Sequence, residues 1–556
     1  MKEETYMNLK KVSYRHRDIF LSGKETFFGG EKIPVQFISR FSLEQEFPQF
    51  AMEWFELCRS EGSILLKWDF DVDIPEDGYR VTISDREIQI GTSSKRGFSF
   101  ALREIGNLSK TCHNGILLPH VSIDDYPDFS IRGIIEGFYG EPWSFEEREE
   151  MISFLSSCRM NTYFYAPKDD LYHRENWRVP YPEEIFQNIL RLKTACDKSL
   201  IDFYYCISPG KDFDYLSEED YDMLFAKLDA MMGIGISHFG ILLDDIDYTL
   251  KSDHEAKFRR TGLAHAHLLN RINDYLHKKL HHYFLAACPT EYWSYWDTAY
   301  KKDLKQTVHE NIALFWTGYN TIAESIPAQH AKRNAEYLGH DLILWDNYPC
   351  NDVNLNRLFL GPNVNRSSLL PQHRHIGVAA NPMNQMEASK VPLMTFADYM
   401  WNPQRYQPEL SWEFALERYC GNDESLKTFY KLNKSLRFYE FQNNELTEAI
   451  TNKDIDYLNC YFSNIREMAL DLLKRDTKLA AEIRPWLLRA QQDVILWELI
   501  LEGEKSKLES NNQRISIQLA ACDHHAAAQL GESTAVKTAE AWGYKKAERA
   551  YAQRGG

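Results

Sequence analysis

Apolar and polar positions alternate over residues 64–70, with Ile64, Leu66, Trp68 and Phe70 on one face and Leu65, Lys67 and Asp69 on the other. That period predicts a half-buried strand. YRVTI from Tyr79 and EIQIG from Glu87 predict two more strands around a turn at Ser84-Asp85, and after Lys95 the residues Phe98, Leu102 and Ile105 have helical spacing. The first part of the chain therefore predicts an α/β module. DDYPDFS from Asp124, with a proline and turn-forming acids, predicts a linker out of it.

From Ile131 the pattern changes to short apolar runs separated by helical stretches, the alternation of βα units around a parallel sheet. The runs are IRGIIEG (131–137), NTYFYAP (161–167), FYYCIS (203–208), HFGILLDD (238–245), YFLAACP (283–289), IALFWTG (312–318), LILWDN (342–347) and GVAANP (377–382). SFEEREEMISFLSSC and EEIFQNILRLKTAC predict two of the intervening helices. Eight units in about 270 residues match the size of a (β/α)8 TIM barrel, in which functional groups sit at the C-terminal ends of the strands. After Pro403 strand signals cease, and DIDYLNCYFSNIREMALDLLK and AAEIRPWLLRAQQDVILWELILEG predict long helices. From Ser533 the chain is polar and Ala-rich and runs to a Gly-Gly end. The expected organisation is an N-terminal α/β domain (1–127), a (β/α)8 barrel (128–402) and a C-terminal α-helical domain (403–556).

Composition narrows the function classes. The 64 Lys+Arg against 81 Asp+Glu leave a net charge of -17, which argues against a nucleic-acid partner, since backbone binding needs basic surface. The opening MKEETYMNLKKVSYRHRDIF has no apolar signal core, and no run reaches membrane-span length, so a cytoplasmic protein without a membrane partner is expected. Ten cysteines without CxxC or CxxH spacing predict neither a zinc site nor a disulfide framework. Aromatic residues, at 13%, exceed what a core requires and suggest a site that uses ring faces.

The polar residues at the strand ends are Gly137, Lys168, Asp169, Asp170, Asp244, Asp245, Asp247, Tyr292, Asp346, Asn347 and Asn381. In GILLDDID an apolar strand stops abruptly at Asp244 and Asp245. Adjacent strand residues face opposite sides, so both can serve one site only where the chain turns. Two close carboxylates repel, which predicts a raised pKa for one and suits general acid catalysis on a glycosidic oxygen. A helix cap and a divalent-cation site are the alternatives. Lys168 predicts a hydroxyl or phosphate contact, or a local salt bridge to Asp169 or Asp170. Trp345 and Tyr292 could floor a sugar ring or pack in the core; Asn347 and Asp352 could bind hydroxyls or make turns. The pairs His265/His267, His281/His282 and His373/His375 lack metal-site context and predict structural or surface histidines. EEREE after Trp143 predicts the solvated start of a barrel helix.

RGIIEGFYGEPWS, MNTYFYAPKDDLYHRENWR, YCISPGKDFDY, FGILLDDID, CPTEYW, LFWTGY, LILWDNYPCND with RLFLGP, and AANP together resemble glycoside hydrolase family 84, the O-GlcNAcase and bacterial β-N-acetylglucosaminidase group, in family order from about 128 to 385. The residues before the barrel are similar to the small α/β domain of these and related hexosaminidases. The resemblance implies a retaining exo-β-N-acetylglucosaminidase in which the substrate's own 2-acetamido oxygen attacks the anomeric carbon to form an oxazoline. It assigns Asp244 to orient and polarise the acetamido N–H, and Asp245 to protonate the leaving oxygen and then activate water. Gly137 and Lys168 would hold the 3-hydroxyl side, Asp352 and Asn381 the 4- and 6-hydroxyls, and Asn347 would support Asp244 and the acetamide. Tyr292 would hydrogen-bond near the reacting oxygen, Trp345 would line the N-acetyl pocket, and Tyr139 and Trp143 would join them around the ring. No cofactor or metal ion is implied, the partner is a GlcNAc-containing glycoside or glycoprotein, and a homodimer is compatible. WSYW after Tyr292 and the C-terminal helices match the family loosely, which leaves the aglycone open. An endo-acting hyaluronidase-like enzyme, a non-catalytic GlcNAc-binding protein and a metal phosphoesterase are the competing readings.

Overall fold

The computed structural model describes residues 17–39, 49–57, 63–435, 443–506, 509–523 and 528–547. Most of the charged start, Cys58 and the Gly-Gly end lie outside these. In the N-terminal part the strands β1 (Asp18–Gly29), β2 (Ile33–Ser39), β3 (Phe55–Leu57), β4 (Ile64–Phe70), β5 (Tyr79–Ile83), β6 (Glu87–Thr92), β7 (Lys110–Cys112) and β8 (Gly115–Asp125) form one sheet, ordered β1-β8-β5-β6-β4-β2-β3 with β7 on β8. Period-two burial is clean in β5, where Tyr79, Val81 and Ile83 point inward and Arg80 and Thr82 outward. The helix Lys95–Leu108, capped by the Ser94 side chain, covers that face and stacks Phe98 on Trp68 at 4.0 Å. The expected linker at Asp124 begins inside β8: Asp124 pairs with Asp18 and Arg80, and Asp125 is fully buried.

All eight apolar runs from Ile131 are parallel barrel strands: β9 (Ile131–Ile135), β10 (Thr162–Tyr165), β11 (Asp202–Ile207), β12 (His238–Leu242), β13 (Phe284–Cys288), β14 (Ile312–Trp316), β15 (Leu342–Asp346) and β16 (His375–Ala380). They neighbour each other in chain order, and β16 closes on β9. Strands of such a barrel are buried on both faces, which is why they read as unbroken apolar runs. The interior is filled by side chains, with the Phe164 ring between Tyr204 (4.3 Å) and Phe315 (5.2 Å) and Trp345 against Phe315 (5.6 Å). Most strands end two or more residues before the apolar run does, and the residues beyond each end turn over the barrel mouth.

The helix Phe145–Ser157 starts with a capping box between Ser144 and Glu147. Its acidic run is not wholly solvated: Arg148 is buried and grips the buried Glu136 carboxylate through Nε (2.9 Å) and Nη2 (2.6 Å), just before Gly137. At the other end of the barrel, the helix Met386–Trp401 delivers Trp401 into the core of the N-terminal sheet, against Phe100 and Tyr79. Arg159 lies over that indole at 4.4 Å, and Arg132 joins Asp77 at 2.8 Å.

Beyond the barrel the described elements are helices, from Pro408–Cys420 to Thr534–Ala541. The run expected as one helix from Ala480 is split into Lys478–Glu482 and Arg484–Ser506, and Pro485 falls in the first turn of the second helix, where its missing N–H is not needed. Glu482 accepts the backbone N–H groups of Glu387 (2.9 Å) and Ala388 (3.2 Å), fastening these helices to the start of Met386–Trp401. No helix among the described residues is long and apolar enough to cross a membrane. The nine described cysteines are free thiols, seven of them buried. His265 and His375 are buried, with pKa values that burial pushes down to about 3 and about 4, so they are neutral core residues.

Candidate active site

A cavity opens at the C-terminal mouth of the barrel. Its lining includes Gly137, Tyr139, Lys168, Asp244, Asp245, Tyr292, Trp345, Asn347, Asp352 and Asn381, which brings every residue expected of the site together except Trp143. Trp143 is buried against Phe138 and donates its indole N–H to the Asn384 carbonyl, so it is a packing residue under the first βα loop.

β12 stops at Leu242, and Thr290 pins the Leu243 carbonyl at 2.7 Å. Asp245 then adopts φ 53°, a left-handed conformation uncommon outside glycine, which separates the two neighbouring carboxylates. Asp244 is 6% exposed at the cavity base, whereas Asp245 is exposed at its rim.

Lys168 reaches Asp244 from the loop after β10, with Nζ 3.1 Å from Oδ2. Burial pushes the Asp244 pKa up, but the ammonium charge and its hydrogen bond outweigh that and hold the carboxyl below its usual range; the Lys168 pKa is raised in return. Asp244 is therefore a fixed carboxylate, and an adjacent cation rather than mutual repulsion sets its charge state. Oδ1 of Asp244 is buried and has no hydrogen-bond partner among the described residues. A buried acceptor without a partner is costly, so this oxygen is poised for a donor entering the cavity.

The local salt bridge considered for Lys168 does not form. Asp170 is buried, accepts from Tyr165 and Tyr181, and closes its own loop through the Tyr172 and His173 N–H groups; Asp169 lies 3.7 Å from Arg148. Asp346 is clamped by Arg366 at 2.7 Å through both oxygens, and Asp247 accepts from the Thr249 N–H in a turn, so both are structural.

Asp245 accepts hydrogen bonds from two phenols, Tyr292 (3.2 Å) and Tyr139 (3.3 Å). Tyr139 in turn accepts from Arg174 Nη1 at 3.1 Å. Arg174 is not among the residues that the strand-end pattern picks out; it lies in the loop segment KDDLYHRENWR, where its only signal is that of a second cation in the βα loop that carries Lys168.

The opposite wall is stitched by amides. Gly137 N–H donates to Asn381 Oδ1 (3.2 Å), Asn381 Nδ2 to Asn347 Oδ1 (2.9 Å), and Asn347 Nδ2 to the Thr321 carbonyl (2.7 Å). Asn347 thus supports Asn381, and its amide is spent there rather than on Asp244. Asp352 is held by the Tyr139 N–H at 3.1 Å. Trp345 forms the floor and closely abuts Gly137: a Cβ there would lie 2.4 Å from the indole Cζ2. The indole N–H is buried without a partner among the described residues. This array offers anionic, amide and aromatic surfaces suited to a polyhydroxylated ring. Among the described residues no His, Cys, Asp and Glu side chains are grouped as a metal site would require.

Residues 132–433 match the family model described as beta-N-acetylglucosaminidase. The chain is 34% identical to rat protein O-GlcNAcase over 274 residues, 48% of this chain and 29% of that protein, and it therefore spans under a third of the curated relatives it matches. Among solved structures, a Thermobaculum terrenum O-GlcNAc hydrolase is 30% identical with a TM-score of 0.69, covering 74% of this chain and 94% of that one. CpGH84B is 25% identical with a TM-score of 0.79, covering 94% and 99%. With its closed eight-stranded barrel and the aspartate pair at its mouth, the chain belongs to the β-N-acetylglucosaminidase family of glycoside hydrolases.

Proposed function

We propose that the protein is a retaining exo-β-N-acetylglucosaminidase that removes terminal β-linked GlcNAc by substrate-assisted catalysis. The observation that carries this reading is the unpartnered, buried Oδ1 of Asp244, whose other oxygen is held by Lys168. That oxygen suits the acetamido N–H. As Asp244 takes up this N–H bond, the acetamido carbonyl oxygen gains electron density, attacks the anomeric carbon and closes an oxazoline ring. An internal nucleophile has a large effective molarity, so no second carboxylate across the ring is needed.

Asp245, at the exposed rim, gives its proton to the glycosidic oxygen as that bond breaks. Water then enters where the aglycone was, Asp245 takes a proton from it, and attack at the anomeric carbon reopens the oxazoline. Two inversions give net retention. Tyr139 and Tyr292 hold Asp245 at the rim, and the Gly137–Asn381–Asn347 wall with Asp352 supports recognition of the hydroxyls of a terminal sugar. Likeness to O-GlcNAcases at the level of the barrel makes a glycoprotein substrate one candidate. The test is hydrolysis of an aryl β-N-acetylglucosaminide followed by NMR: β-GlcNAc as first product supports the proposal, and α-GlcNAc or no turnover refutes it.

A further inference from the structure

The loop after Tyr292 carries two large side chains that neither the barrel core nor the cavity uses. Trp293 and Trp296 are 37% and 49% exposed, and their rings form an edge-to-face pair with centroids 5.6 Å apart. Exposed aromatic pairs on a monomer surface mark binding sites more often than chance. The loop that presents them is tied down on its inner side. Ser294, at φ 83°, donates its N–H to the Gly318 carbonyl and accepts the Trp316 indole N–H, each at 2.8 Å. Lys301 is fully buried beneath it and donates to Ser294 Oγ and Asn334 Oδ1, both at 2.9 Å. Burying an ammonium and straining a serine to fix a surface loop is a cost that ordinary loop folding does not require.

The position of the pair relates it to the leaving group. Tyr292 donates to Asp245, the proton donor to the leaving oxygen in the proposal above, so the aglycone departs on the side where this loop begins. We infer that Trp293 and Trp296 form a subsite for the sugar unit on the leaving-group side, so that the preferred substrate is a GlcNAc-terminated oligosaccharide. The inference rests on the glycosidase reading. A pyranose matches an open indole platform, because its flat C–H face stacks on the ring while its hydroxyls stay hydrated. An extended peptide would seek main-chain partners, and here the Tyr292 carbonyl, the Ser294 N–H and the Ser294 carbonyl are already bonded within the loop and to the end of β14.

Steady-state kinetics with three substrates tests this: methyl β-N-acetylglucosaminide, which has no second ring, a β-linked GlcNAc disaccharide, and an O-GlcNAc serine peptide. In Trp296→Ala the ratio of kcat/KM on the disaccharide to that on the methyl glycoside is expected to fall about tenfold, mainly through KM, with the peptide ratio unchanged. Trp296→Tyr, which keeps a ring, is expected to hold the disaccharide ratio within about twofold. An unchanged disaccharide ratio in Trp296→Ala, or a peptide ratio that falls as far, overturns the inference. Wild-type turnover of the methyl glycoside reports separately on the glycosidase reading, whose failure would appear as inactivity on all three substrates.

Discussion

Lys168 and Asp244, 76 residues apart in the chain, meet at 3.1 Å at the base of the barrel mouth, where each is less than a tenth exposed. The contact leaves one carboxylate oxygen engaged and the other free. Replacing Lys168 with Met would leave a buried carboxylate without its cation, and burial would then drive the Asp244 pKa upward. The sign follows: the acid limb of the kcat/KM profile is expected to move to higher pH in Lys168→Met. In the wild type the depressed pKa of Asp244 contributes stability that is present above its unfolded pKa and lost only as pH falls through the lower folded value, below about pH 4. Breaking a buried pair also costs about 3–5 kcal/mol, measurable by urea unfolding at neutral pH. A pH profile superposable on wild type would contradict this role.

Asp244→Asn is expected to lower kcat on an aryl β-N-acetylglucosaminide by about 10²–10⁴-fold, because the amide can accept the acetamido N–H but carries no charge to stabilise the forming oxazolinium. Undiminished turnover would remove Asp244 from the mechanism.

Asp245→Asn separates the two aspartates. Without the acid, methyl glycosides are expected to lose about 10²–10⁴-fold in kcat/KM, while aryl glycosides with strongly acidic phenols lose far less, since those leaving groups need little protonation. Equal losses across a leaving-group series would refute the assignment.

Gly137→Ala tests the floor of the site. The added Cβ would sit 2.4 Å from the Trp345 ring, so the indole must move and the proposed N-acetyl pocket narrows. KM for GlcNAc glycosides is expected to rise at least about tenfold, alongside a loss of about 1–3 kcal/mol in stability from the overpacking. An unchanged KM would show that Trp345 does not bound the pocket.

Trp401→Ala tests the joint between sheet and barrel. The indole is fully buried among Tyr79, Phe100 and Arg159 from both layers, and its removal is expected to cost about 3–5 kcal/mol in urea unfolding. A loss below about 1 kcal/mol would mean that the layers are joined elsewhere.

The barrel was legible because each strand is buried on both faces and therefore appears as a continuous apolar run, from IRGII to GVAA. β1 was not: as an edge strand with mixed exposure over Asp18–Gly29 it carries no clean alternation, and its pairing with β8 spans about a hundred residues. The paired aspartates stood out because an apolar strand ended on two acids. Their difference in environment did not, since it depends on the left-handed turn at Asp245 and on a lysine brought from another loop by barrel closure. For the same reason Lys168 had nearer candidates in Asp169 and Asp170, which the fold directs to Arg148, Tyr165 and Tyr181 instead. Trp143 followed the reverse path, from a candidate ring platform to a core residue, because its place in a loop motif says nothing about which way the indole turns.

The most direct test of the account is the rate on aryl glycosides whose 2-acetamido methyl carries zero, one, two or three fluorines. Fluorine weakens the carbonyl oxygen as a nucleophile without greatly changing the size of the group. If that oxygen attacks the anomeric carbon with Asp244 on the N–H, kcat/KM falls steeply and progressively along the series. A rate independent of fluorination would contradict substrate assistance and require a nucleophile from the protein.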